Sequence, residues 1–319
     1  MSLFAIVLAL ILEQARPLSR QNPVHRHVMG WADWIARYFD AGQRHQAWAT
    51  WAIAVIGPAL LAMLIHWLLK GLTGWLPALL WNVALLYLTL GFRQFSHHFT
   101  DIREALENGQ EDRARELLAQ WQQVEVGDIP RSEIVRHVIE YSVLAAHRHV
   151  FGVFFWYAVL SVIGLGPMGA VIYRLTEYVR RHWLKQSHDS STASAALASV
   201  AQRAWLALDW LPARATALGF AVVGSFEDAM DGWRHHSQKF PQDNDGVILA
   251  ATAGAINVRL GGAALQAERD EEWGAQGTAS TPGREPDIRH FAQVVGLVWR
   301  TVVMWLLLVA LLTMANLLG

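Results

Sequence analysis

Asp209 and Arg214 flank Pro212 inside the apolar stretch 204–223, and their types allow them to act as a pair. Charge inside a membrane layer is costly unless it is paired or faces water. The two residues therefore read either as a functional pair or as the ends of an interfacial helix that reach the headgroups. Five positions apart on a regular helix they point about 140° from one another, and Pro212 offers the bend that would bring them together. Arg259, followed by Leu260-Gly261-Gly262, sets a cation beside flexible backbone amides, a composition that suits a phosphate or a carboxylate. Asn244-Asp245-Gly246 adds either a turn of amides or an acid. The same Arg-Leu-Gly-Gly run also fits a plain helix terminus closed by glycine. Glu140 and His147 are seven residues apart, so on a helix they share one face; with Tyr141 they form a polar site at the membrane rim or simply end a membrane segment.

Other chemistry is excluded more easily. The chain has no cysteine, which removes disulfides, thiolate nucleophiles, iron–sulfur clusters and cysteine zinc sites. His97-His98 and His235-His236 are poor chelators because neighbours on a helix diverge, so no metal centre is expected. No Walker-type loop, serine-nucleophile elbow or His-Glu-x-x-His motif is present, and no catalytic residue is assigned.

The elements that must position these residues are largely apolar. Of 319 residues 53% are hydrophobic and 17% charged, where an average soluble chain carries roughly 25% charged residues. A net charge of −1 supplies no global field for nucleic acid. Residues 48–69 are long and apolar enough to span a bilayer, 75–90 follow after a five-residue link that forces a hairpin, and 294–318 form a third span with Arg300 near its start. Residues 2–12 make a shorter membrane segment without the basic leader or cleavage site of a signal peptide. Two re-entrant or broken segments are expected. One is 150–173, interrupted by Gly164-Leu165-Gly166-Pro167-Met168-Gly169, and the other is 204–223.

Trp48, Trp51, Trp67, Trp75, Trp183, Trp299 and Trp305 fall near these edges, as an aromatic belt requires. The loops 13–47, 92–149 and 174–203 are all basic, which by the positive-inside rule places them on the cytoplasmic side of the membrane. Between the spans, 101–122 reads as a helical hairpin turning at Asn108-Gly109, 186–199 as a loop or weak helix, and 268–287 as a flexible linker. The expected architecture is a single all-α polytopic membrane domain over 1–319.

Several segments taken in order resemble the CobD/CbiB and AmpE group of bacterial membrane proteins. Leu3-Phe4 and the apolar run to Ile11-Leu12-Glu13 are similar to the AmpE opening, and Asn22-Pro23-Val24 to the His-Pro-Val of CobD/CbiB. Ala105-Leu106-Glu107-Asn108-Gly109-Gln110 with Ala114-Arg115 resembles the family's short helical hairpin. Asp209-Trp210-Leu211-Pro212-Ala213-Arg214 combines the Pro-Ala-Arg of CobD/CbiB with the Asp-Trp-x-Pro-x-Arg of AmpE. The most specific likeness is Asn244-Asp245-Gly246, then 250–255, then Val258-Arg259-Leu260-Gly261-Gly262.

The CobD/CbiB branch implies ATP-dependent amide synthesis joining an aminopropanol, or its phosphate, to a corrinoid carboxylate. AmpE implies a role in cell-wall recycling and the control of β-lactamase induction. The chain departs from the synthase branch where that branch carries a Glu-Asn-x-x-Asp-Gly cluster. Leu144-Ala145 and Arg148-His149 stand there, only the earlier Glu140 survives, and Arg174-Leu175-Thr176-Glu177 replaces the later Asn-Thr-x-Asp run. These losses remove ligands for the magnesium that neutralises transferring phosphate.

The leading expectation is therefore an AmpE-like binding or regulatory protein in the lipid bilayer. Its site faces the cytoplasm and takes an anionic small molecule that is phosphorylated, corrinoid or muropeptide-like, with Glu140, His147, Asp209, Arg214, Asn244, Asp245, Arg259, Gly261 and Gly262 as its candidate residues. A homodimer is compatible with this, and nucleic acid is not expected. The alternative is a divergent synthase, in which ATP and Mg are bound and Glu140, Asn244 and Asp245 help hold the metal. A third reading is an interaction scaffold whose polar residues only solvate helix ends.

Overall fold

The computed structural model describes residues 2–16, 23–122, 126–189, 192–263, 265 and 279–318. In order, the elements are α1 (Ser2–Ala15), α2 (Pro23–Phe39), α3 (Arg44–Leu72), α4 (Trp75–Thr89), α5 (Phe92–Glu107), α6 (Glu111–Gln122) and α7 (Arg131–Ala146). A π-helical turn (His147–Phe151) leads into α8 (Gly152–Val162), followed by α9 (Met168–Asp189), α10 (Ala195–Val223) and α11 (Phe226–His236). A 3₁₀ turn (Ser237–Lys239), α12 (Asp243–Ile256) and α13 (Arg289–Leu318) complete the series. Among the described residues there is no β-strand element, only isolated bridges at Val258–Arg284 and Gly261–Ser280.

Among the described residues, four helical stretches are long and apolar enough to cross a membrane: Arg44–Leu72, Arg131–Val162, Ala195–Val223 and Arg289–Ala315. Leu60, Leu61, Leu64 and Leu68 on α3, and Leu307, Leu308, Leu311 and Leu312 on α13, point outward. Rows of exposed leucine are stable against lipid rather than water. The chain is an all-α polytopic membrane protein.

The first and last expected spans lie inside α3 and α13. The second, 75–90, is α4, whose 15 residues give about 22 Å of rise, short of the roughly 30 Å of hydrocarbon. The stretch 131–162 joins the first part of the expected segment 150–173 to an upstream half, 131–149, in which Arg136 is buried and paired with Glu133 and Glu140.

By contacts the chain divides into two compact units, where the sequence shows no boundary. The first comprises Met1–Gly91, Arg148–Pro212 and Val309–Gly319, and the second Phe92–His147 and Ala213–Leu308. Both are discontinuous in sequence, so no linker marks either.

In the first unit, α3 turns an Ala-rich face (Ala47, Ala54, Ala59, Ala62) towards a core shared with Ile35 of α2, Leu175, Val179 and Trp183 of α9, and Leu197 of α10. Small residues at helical spacing let backbones approach closely. Trp183 is fully buried and belongs to this core instead of the expected belt, whereas Trp48, Trp67, Trp75 and Trp299 are exposed. The break expected near 164–169 is a turn between α8 and α9. Gly166 sits there at φ +58 with the His66 ring so near that a Cβ would come within 2.8 Å of it.

The second expected break is absent, since α10 runs unbroken through Pro212. A proline has no N–H for the carbonyl four residues back. Here that carbonyl, Leu208 O, accepts instead from the Trp156 indole at 3.1 Å. Pro58 in α3 has the same remedy, its orphaned Ala54 carbonyl accepting from Trp31 Nε1 at 3.2 Å.

In the second unit α5 and α6 form the expected hairpin. Gly109 is at φ +71, and Ile102, Leu106, Ala114, Leu118 and Trp121 are buried. Helices α11 and α12 pack together, and α12 also packs on α7. Asn22 and residues 190–191 and 268–278 of the segments named above lie outside the described residues, but 186–189 and 195–199 are helical. The second half of the expected linker is packed: Thr281 is buried, its N–H donates to Leu260 O at 2.7 Å, and its hydroxyl accepts from Leu260 N at 2.9 Å.

Candidate functional site

In the second unit, α7 places Glu133, Arg136 and Glu140 at helical spacings of three and four, so the three side chains share one face. Arg136 is 3% exposed and fully engaged. Its Nε and Nη2 donate to Glu133 Oε2 at 2.9 and 2.6 Å, its Nη1 lies 3.0 Å from both oxygens of Glu140, and Nη2 also reaches the Ala263 carbonyl at 2.6 Å. The His137 ring stands 2.9 Å from the same Nη2.

Glu140 in turn accepts from the Gly261 N–H at 2.7 Å. Gly261 and Gly262 adopt φ of +80 and +118, a region that disfavours side chains, and this turn presents the amide to the carboxylate. The predicted Glu140 and Gly261-Gly262 are thus brought together across 121 residues of sequence. Arg136 and Glu133, which hold them there, were not predicted, although their spacing on one face was a readable signal.

The other predicted residues have partners of their own. Arg214 donates to the side-chain carbonyl of Asn244, itself buried in the first turn of α12, at 3.2 Å. His147 and Thr216 are buried and hydrogen-bonded at 2.9 Å. Asp245 is half-buried on α12. Arg259 lies beyond the helix end, which is closed by left-handed Asn257 and not by glycine; its guanidinium is 4.0 Å from Glu285, and its side chain is partly exposed.

Asp209 belongs to the first unit, where it accepts from the Tyr173 hydroxyl at 2.7 Å. Pro212 does not break the helix; Asp209 is bonded to Tyr173 in the first unit and Arg214 to Asn244 in the second. The second unit also holds a cavity of about 210 Å³, lined in part by Asp228, Asp231, His236, Asn257 and Thr281, and none of the nine predicted residues lines it.

Magnesium does not fit Glu140 and Asn244, two of the three residues proposed for it. A guanidinium faces both oxygens of Glu140 and an amide takes one of them, while the Asn244 carbonyl oxygen faces Arg214. A hard cation needs these oxygens bare and their surroundings negative. No group of three or more His, Asp or Glu side chains suited to a metal occurs among the described residues.

Comparison with known proteins supplies what the geometry leaves open. The family model described as CobD/Cbib protein matches residues 3–298. The chain is 29% identical over 283 residues, 86% of each chain, to a protein of Stutzerimonas stutzeri named cobalamin biosynthesis protein CobD. It is 31% identical over 251 residues, 77% of each chain, to the protein of the same name from Chromobacterium violaceum. No solved structure matches. With nearly its whole length matched, this chain belongs to the CobD/CbiB family.

Proposed function

We propose that the chain serves cobalamin biosynthesis from within the bacterial inner membrane, acting where an aminopropanol, or its phosphate, is joined to a corrinoid carboxylate. The observation that carries this reading is the end-to-end likeness to proteins named for cobalamin biosynthesis, which favours it over the AmpE-like expectation. In the second unit, the partly exposed Arg259 beside the Gly261-Gly262 turn is the cation best placed for a corrinoid carboxylate or a phosphate. Glu140, through Gly261, fixes the turn rather than binding a metal.

A second reading is favoured by the misfit of magnesium: a family member that binds the anionic intermediate without forming the amide. Complementation separates the two. In a strain lacking the synthase, this chain restores cobalamin-dependent growth under the first reading. Under the second, growth fails while the purified protein still binds a corrinoid acid. Failure of both growth and binding overturns both.

A further inference from the structure

In the first unit, the corner where α2 leads into α3 gathers exposed aromatic rings that the proposed function does not use. Trp31 and Trp34 stack with 5.5 Å between ring centroids, and Tyr38 and Phe39 lie 5.3 and 5.9 Å from Trp34. Trp48, one turn into α3, meets Trp51 edge to face at 5.8 Å. Trp31, Trp34, Tyr38, Phe39 and Trp48 are all exposed, Tyr38 at 72%. On α2, spacings of three and four put Trp31, Trp34 and Tyr38 on one stripe, while Ala32, Ile35 and Ala36 turn away from it into the core.

The height of this corner in the membrane follows from α3. Its 29 residues rise about 43 Å, more than the roughly 30 Å of hydrocarbon. With Lys70 at one rim, about 20 residues of span lead back to Thr50, and the turns before it stand in the headgroup layer. The corner is fastened at that level, Thr50 Oγ1 donating to Phe39 O at 3.0 Å and Trp31 Nε1 to Ala54 O at 3.2 Å. The row of outward leucines on α3 begins within three turns of it, at Leu60. Trp and Tyr favour the layer between, where the body of a ring meets acyl chains and its N–H or O–H meets water.

Charge selects the lipid. The two acids of the corner are engaged within the fold: Asp33 accepts from the Gln186 amide at 2.6 Å and stands 2.5 Å from the His182 ring, and Asp40 accepts from the Gly42 N–H and from the N–H and hydroxyl of Ser194. Arg37 and Arg44 are exposed, and among the described residues neither has a carboxylate partner. Arg37 reaches only the Asp33 carbonyl, through Nε at 3.4 Å, and the first turn of α3 holds no acid. We infer that this corner seats in the headgroup layer and binds an acidic phospholipid, its rings at the boundary with the acyl chains and Arg37 and Arg44 on the headgroup phosphate. The corner shares no residue with the second unit, so its failure and that of the proposed function are separate outcomes.

The chain has no cysteine, so one introduced thiol carries a spin label alone. In the full chain with Tyr38→Cys, reconstituted in nanodiscs of phosphatidylglycerol and phosphatidylcholine, collision rates with oxygen and with a nickel chelate are expected to place the label in the headgroup layer, shallower than the same label at Leu64→Cys. In a second arm, native mass spectrometry counts the two lipids retained by the chain in detergent. Phosphatidylglycerol is retained in preference, and the preference falls about fivefold in Arg37→Gln and about fivefold again when Arg44→Gln is added, the value of one cation near an anionic surface. Both arginines are exposed, so these variants keep the fold. A Tyr38→Cys label as open to nickel as a nitroxide in water overturns the seat. Dipolar broadening between labels on two chains gives the rings to a second copy and overturns it as well. Equal preference in wild type and the double variant overturns the lipid site.

Discussion

Arg136 in the second unit and Arg174 in the first are equally buried, at 3% exposure, yet their surroundings differ in kind. Arg136 has acceptors for its Nε and both Nη groups, including two carboxylates and a backbone carbonyl. Arg174 shares its one carboxylate with Arg181 and keeps an unmet Nε. A matched buried charge is architecture, since its field is closed within the fold. A buried arginine with an unmet Nε, like Arg174, instead leaves part of its hydrogen-bonding capacity open.

The comparison is broken most severely at Glu140. Glu140→Ala takes an acceptor from buried Arg136 and from the Gly261 amide, and is expected to cost about 3–5 kcal/mol, seen as a lowered unfolding midpoint in detergent. An unchanged midpoint would show that the network is not architectural.

Acid gives the next largest effect, confined to Glu177 in the first unit. Burial pushes its carboxyl up, but Arg181 and Arg174 hold it at about 2 in the folded chain, down from an ordinary 4.5. A lowered carboxyl stabilises the fold fully above its unfolded value and progressively less as pH drops through its folded one, here between about 4.5 and 2. Its contribution is about 3 kcal/mol. The stability difference between wild type and Glu177→Gln should be constant above pH 4.5 and shrink towards pH 2; a difference independent of pH sinks the assignment.

Arg259→Ala should do least to the fold. Its pairing with Glu285 is long and exposed, so the loss is expected below about 0.5 kcal/mol. Weaker binding of a corrinoid acid by this stable variant would sharpen the contrast, since an unburied cation would then act on ligand alone.

What was legible in the sequence follows the same division. Spans at 48–69 and 294–318 were readable because their outward faces are uniformly apolar, and the turn near Gly166 because Gly and Pro interrupt helices. The span through 131–149 was not, since Glu133, Arg136, His137 and Glu140 give it the hydropathy of a loop, and their mutual pairing is a property of three dimensions. Of the site, the approach of Glu140 to Gly261-Gly262 left no trace in spacing, being set by how α12 packs on α7. Glu140 is held by Arg136, Arg214 is bonded to Asn244, and Arg259 is partly exposed beside Glu285, pairings that spacing along the chain does not encode.

The tryptophan donors at Ala54 and Leu208 bear on how the protein is made. A helix with an internal proline enters lipid carrying one carbonyl that nothing in its own backbone can satisfy. For α3 and α10 that debt is settled only when α2 and α8 arrive with their indoles. Straightness in these helices is thus acquired at docking, which makes lateral assembly the final stage of their biogenesis and ties each long helix to its own companion.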